Sequence, residues 1–199
     1  MSEAPLTAER TRDGYAGLRM TADEYFCIPD DGYRYELIDG VVVVSPSPTP
    51  QHQRVVMEIA LQLGTYLRDH PVGAVLAETD AHLGAGRRGD LVYRPEIVFI
   101  RAERLPEIKH RITGAPDLVV EVVSPDSRRY DTETKRTDYE RFGVGEYWIV
   151  DPERQTMTFF RMIDGQFVAV EPSGDSFASR VVPGFVLDLP RVRKSFQSW

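Results

Sequence analysis

A single cysteine, Cys27, occurs in the 199 residues. That excludes an internal disulfide and any zinc site built on several cysteines. No apolar run approaches the ~20 residues of a membrane-spanning helix, and residues 1–12 are polar and mixed in charge, unlike a secretory signal. These absences point to the cytoplasm. Lysine is scarce: Lys109, Lys135 and Lys194 are the only three among 24 basic residues. Arginine is therefore the ordinary solvating cation of this chain, and a lysine at a patterned position is informative. Positive charge is short overall, with a net charge of -7. This argues against a general nucleic-acid coat protein, whose affinity comes from cations that neutralise phosphates. It leaves room for a locally basic surface beside acidic metal ligands. Internal repeats and low-complexity segments are absent.

What remains has a globular composition, 42% hydrophobic and 28% charged. A chain of this size buries roughly 70% of the surface its unfolded form exposes, enough for a core without staples. Residues 1–18 read as a loose leader, and 19–199 as a single domain. Thr21 and Glu24 form a capping box that opens a short helix, Ala22–Phe26. Tyr33–Ile38 and Val41–Ser45 flank Asp39-Gly40, a hairpin signal. Proline-rich 45–50 leads into a long helix, Gln51–Arg68, with one apolar stripe. Strands are expected over 74–79 and 91–100, then a short helical stretch near 102–105. The run 117–124 is apolar on both faces, as in a central strand covered on two sides. A helix over 132–142, closed by Gly143, precedes a strand over 147–150. A second hairpin, 157–162 with 166–170, turns at Asp164-Gly165, and 181–189 is strand or extended. The order predicts a mixed α/β fold: a mixed central sheet flanked by helices, with additional β-hairpins.

Three residues interrupt this pattern in a way that suggests chemistry. Glu121 sits mid-strand on one face with Val119 and Val123, because strand side chains alternate. A charge there must be paired or hold a metal, so it is either an ion-paired structural acid or a ligand. Lys135 shares a helix face with Asp131, Tyr139 and Phe142 and lies toward the sheet that carries Glu121; the other reading is a snorkelling surface lysine. Glu96 breaks the apolar face of Val98 and Ile100. Two carboxylates offer hard oxygen ligands for Mg²⁺ (or Mn²⁺), an ion that keeps several waters and binds substrate phosphate. Such an ion lowers the pKa of a bound water and neutralises charge on the phosphoryl oxygens. A lysine beside it can stabilise the transition-state charge. A two-carboxylate glycosidase has no role for Lys135.

At these residues the chain resembles a known family. The blocks Tyr35-Glu36-Leu37-Ile38-Asp39-Gly40, Pro116-Asp117-Leu118-Val119-Val120-Glu121-Val122-Val123-Ser124-Pro125 and Gly143-Val144-Gly145-Glu146-Tyr147-Trp148-Ile149-Val150-Asp151-Pro152 resemble, in order, the signatures of the Uma-two family. Its members are bacterial proteins described as restriction endonucleases of the PD-(D/E)XK superfamily. The likeness spans about residues 20–189. It implies a restriction-endonuclease-like core, a Mg²⁺-dependent endonuclease that hydrolyses phosphodiester bonds, and DNA as partner. Cutting both strands would suit a two-fold homodimer. Glu121 falls on the second acid of the superfamily's E-X-K element and Val123 on its lysine; the family lysine moves to the following helix, at Lys135. Pro95-Glu96 falls on the proline–aspartate pair. Glu36 matches a family acid, either part of the metal site or a hairpin glutamate facing an arginine. His52 matches a family histidine, either a phosphate or site contact or a plain helix-end residue. Glutamate at 96, where the family has aspartate, lengthens the ligand by one methylene, and a misplacement near 1 Å can lower a rate on the order of a hundredfold. The alternative reading is a catalytically degenerate nuclease fold acting as a DNA- or protein-binding module.

Overall fold

The short helix is fixed by its first turn. Thr21 caps α1 (Ala22–Tyr25), and the Glu24 side chain returns to the Thr21 amide, closing the capping box. The computed structural model describes residues 14–45, 47–125 and 127–197; most of the expected leader, residues 1–13, lies outside them. Its remaining part, residues 14–18, is held in place. Tyr15 is buried, and the Gly17 amide donates to Val42 O at 2.8 Å.

The chain groups into two compact units. The first unit is made by residues 14–47, 80–94 and 111–114. Its strands are β1 (Arg34–Ile38), β2 (Val41–Ser45), β4 (Ala81–Ala85), β5 (Asp90–Tyr93) and β7 (Ile112–Thr113), in the order β2-β1-β5-β4-β7. Asp39 and Gly40 both have positive φ, 49° and 73°, as a two-residue type I′ hairpin requires. Tyr25, Leu37, Val42 and Val92 fill its core.

The second unit carries a six-stranded sheet in the order β11-β10-β9-β8-β6-β3. Its strands are β3 (Gly73–Ala77), β6 (Ile97–Arg101), β8 (Leu118–Val122), β9 (Glu146–Asp151), β10 (Thr156–Ile163) and β11 (Gln166–Ala169). Strands β8 and β9 pair in parallel and the other neighbours antiparallel, so the sheet is mixed. A small ladder of β12 (Ser176–Ala178) and β13 (Val186–Asp188) leads to α4 (Leu189–Lys194). Helix α2 (Pro50–Asp69) begins at Thr49, whose hydroxyl accepts the His52 amide, with proline at its first position. Val55, Val56, Ile59 and Leu63 form its buried stripe. They pack on Ile97, Phe99, Leu118, Val120 and Val122 of the sheet. Each such aliphatic side chain contributes roughly 1.5–3 kcal/mol by leaving water.

All five residues of β8 are buried. Leu118, Val120 and Val122 belong to the core under α2. By strand alternation, Val119 and Glu121 face the other way, where a helical segment packs. That segment is a π-helical stretch, Tyr130–Lys135, running into α3 (Arg136–Phe142). Gly143 ends it at φ 82°, the left-handed cap expected of glycine.

The continuous strand expected over 91–100 is two strands. It breaks at Arg94-Pro95: β5 belongs to the first unit's sheet and β6 to the second's. Proline cannot donate to a ladder and restricts the residue before it, which marks the crossing. A 3₁₀ turn, Ala102–Glu107, follows β6. The described residues contain no helix long and apolar enough to cross a membrane.

Candidate active site

The face of the large sheet turned away from α2 carries one buried acid in the middle of a strand. Glu121 is 3% exposed. The Lys135 ammonium, 5% exposed, lies 2.9 Å from Glu121 Oε1. The Tyr139 hydroxyl donates to the same oxygen at 3.0 Å. Asp131 Oδ1 stands 3.6 Å from the ammonium on its other side, and the Tyr130 ring centroid is 5.6 Å away. Residues 131, 135 and 139 sit four apart, so one helix face delivers acid, base and phenol to the strand. A π-helical stretch is an uncommon feature that recurs at functional sites, and here it spans Asp131 and Lys135. Tyr147, on the adjacent strand, anchors the segment by donating to the Asp131 carbonyl at 2.9 Å.

Glu96 lies one residue before β6. The β6–β8 ladder ends at this point with Ile97 opposite Val120, and Glu96 sits in the bend that leads into it. The Glu96 side chain is also buried, and its Oε1 lies 3.2 Å from His52 Nε2, in the first turn of α2. Four of the five sequence-derived residues thus form two separate buried pairs, Glu121 with Lys135 and Glu96 with His52.

Glu36 belongs to the first unit. Its Oε1 accepts the Arg94 backbone amide at 2.9 Å. The Arg94 guanidinium is instead committed to Asp80, at 2.7 and 3.0 Å. Burial first, then the charges of Asp80 and Glu36, push the Tyr25 phenol well above its ordinary range, against the opposing charge of Arg94. Asp90, also in this unit, is occupied in accepting the Ala22 amide at 2.7 Å.

Other acids of the second unit are structural. Glu146 is fully buried. It accepts Trp148 Nε1, the Ser179 hydroxyl, the Arg180 amide and Arg161 Nε, at 2.7–3.2 Å. Asp117 accepts the Arg101 amide and an Arg104 guanidinium, each at 3.0 Å. These acids meet arginine, whereas Glu121 meets one of the chain's three lysines. In the sequence, the spacing of Asp131 and Tyr139 from Lys135 is the signal of their part in this cluster.

Comparison with known proteins gives this arrangement a context. The family model Uma2, described as "Putative restriction endonuclease", matches residues 22–190. The chain belongs to the Uma2 family. That family places it among proteins described as nucleases. A crystal structure of "a putative nuclease" from Anabaena variabilis superposes with a TM-score of 0.75 at 20% identity, covering 89% of this chain and 99% of that one. Likeness at that identity shows the shared fold. No curated protein matches.

Mg²⁺ binds sparsely, through one or two carboxylates, waters and substrate phosphate, and Glu121 and Glu96 are buried carboxylates that could serve as such ligands. Among the described residues, no three His, Cys, Asp or Glu side chains converge as a ready-made metal cage.

Proposed function

We propose that this Uma2 protein is a Mg²⁺- or Mn²⁺-dependent DNA endonuclease that hydrolyses phosphodiester bonds at Glu96, Glu121 and Lys135. The observation that carries this reading is the lysine: the chain's usual cation is arginine, yet a buried lysine is aimed from a helix at the mid-strand acid. Glu96 and Glu121 would hold the metal, which when bound supplies an activated water and neutralises phosphoryl charge. Lys135 contributes a positive charge that needs no reorganisation as negative charge builds on the phosphate. Asp131 flanks that ammonium, and the Tyr139 hydroxyl holds the Glu121 carboxylate that faces it. His52 orients the Glu96 carboxylate. Glu36, in the first unit, accepts the Arg94 amide and has no part in this reading. Cutting both strands would call for two copies related by a two-fold axis.

The same contacts favour a second reading. Each acid already faces a basic side chain, Glu121 a lysine and Glu96 a histidine, as in a fold that has exchanged its metal for internal ion pairs. Such a protein would bind DNA or a protein partner without cutting.

Cleavage assays decide between them. With folding verified by circular dichroism, Glu121→Ala and Lys135→Ala should abolish Mn²⁺-dependent cleavage, Lys135→Ala mainly through turnover and little through DNA affinity. Glu96→Asp should raise the rate if the longer side chain misplaces the metal, and lower it if the site is rebuilt around glutamate. Absence of both metal binding and cleavage in every variant would leave the binding-module reading.

A further inference from the structure

A cleft of about 620 Å³ opens in the second unit beside the helix that carries Lys135. Arg128, Arg129, Arg136 and Arg154 line it, with Phe160 and Thr158 on its sheet wall. Four guanidiniums in one cleft are unexpected in a chain of net charge -7. They are not equally committed. Arg128 is bound to Asp151 and Glu153. Arg129 has an 88% exposed side chain and only a surface pairing with Glu133, four residues on, worth little in water. The Arg154 side chain is 66% exposed and stands 4.0 Å from Asp151. The Arg136 guanidinium lies over the Phe160 ring, 5.4 Å from its centroid.

The cleft is tied to the candidate active site by register. Ile149 lines it, and Ile149 is the direct partner of Glu121 in the parallel β8–β9 ladder. Cross-strand partners share a sheet face, so the cleft begins one strand, ~4.8 Å, from Glu121. Lys135 and Arg136 are consecutive on the helix, one against Glu121 and the other in the cleft.

We propose that this cleft binds the phosphodiester backbone of DNA flanking the reacting phosphate, through Arg129, Arg136 and Arg154, with Arg136 braced on the Phe160 ring. Planar guanidiniums suit phosphate oxygens. The proposal rests on the nuclease reading for the identity of the strand and is tested without relying on cleavage.

The experiment measures binding of a fluorescent 20-base-pair duplex by anisotropy in EDTA, across a salt series. The triple variant R129Q/R136Q/R154Q should bind on the order of tenfold more weakly, and its log–log salt slope should fall by about 2 to 3. The double variant R129Q/R154Q, which keeps the Arg136–Phe160 contact, should lose about 2 of that slope. Arg193→Gln, on α4, should change neither. Wild-type affinity and slope in the triple variant would overturn the proposal. So would displacement of the duplex by millimolar inorganic phosphate beyond the effect of matched ionic strength, since that marks a small-anion site. Weakened binding in the triple variant, with no cleavage by any form in Mn²⁺, would uphold the cleft and refute the nuclease.

Discussion

Lys135 faces two carboxylates, Glu121 and Asp131, with all three side chains nearly out of water. Charges so placed survive only as a set, because each pays a desolvation penalty of several kcal/mol that its partners must offset. Removing the cation alone leaves two like charges buried together. Lys135→Met should therefore destabilise by about 3–5 kcal/mol in urea denaturation, and Lys135→Met with Glu121→Gln should recover much of that loss. A loss below ~1 kcal/mol for the single variant would mean that the ammonium is not buried between those acids. Asp151 behaves differently. Burial alone would raise its carboxyl, but the Arg128 hydrogen bond, the Arg154 amide and the charges of both arginines outweigh it and hold the group below its ordinary value. A carboxyl lower in the folded than in the unfolded chain contributes stability that is complete above the unfolded pKa, ~3.9. That contribution disappears as pH falls through the lower folded value. Thermal melts between pH 6 and pH 2 should show Asp151→Asn less stable than wild type at pH 6, with the gap closing below about pH 4. A gap unchanged at pH 2 would contradict the assignment.

At the scale of elements, strong local chemistry was readable and weak chemistry was not. Both hairpins follow from Asp-Gly turns, and Asp164 and Gly165 adopt the same left-handed pair of φ values, 50° and 81°, as Asp39 and Gly40. Strand β8 and helix α2 follow from apolar periodicity, and α3 ends where Gly143 allows. That cap is testable: Gly143 has φ 82° and open space where a Cβ would go, so Gly143→Ala meets strain and no clash. It should destabilise by about 1–2 kcal/mol, read as a lowered Tm with an unchanged circular dichroism spectrum; an unchanged Tm would argue against the left-handed cap. Strand β4 escaped notice because Ala81, Gly84 and Ala85 carry little strand propensity, and its pairing with β5 shifts register between His82 and Gly84. Helix α4 was missed although Asp188, which caps it through the Arg191 amide, and Pro190 announce it. The run 91–100 reads as one strand by hydrophobicity, and only Pro95 betrays the change of sheet.

At the scale of the molecule, the parts of the site visible in sequence were those where a charge interrupts an apolar pattern. Glu121, Glu96 and Lys135 stand out because charges in such positions need partners. The partners themselves were harder to see. The Tyr139 hydroxyl and the His52 contact depend on how α3 and α2 cross the sheet, which no local pattern encodes. Glu36 entered only through the family resemblance, and the structure places it in the first unit, where it accepts the Arg94 backbone amide. Membership of the Uma2 family supplies the reaction class; the buried lysine on Glu121 supplies the reason to expect chemistry from this chain. The most direct test is cleavage of supercoiled plasmid DNA by wild type and Glu121→Ala, each with Mn²⁺ and with EDTA. The account predicts Mn²⁺-dependent nicking or linearisation by wild type, abolished by EDTA and reduced on the order of a hundredfold or more in Glu121→Ala. Equal cleavage by both proteins, or none by the folded wild type at any Mn²⁺ concentration, would contradict it.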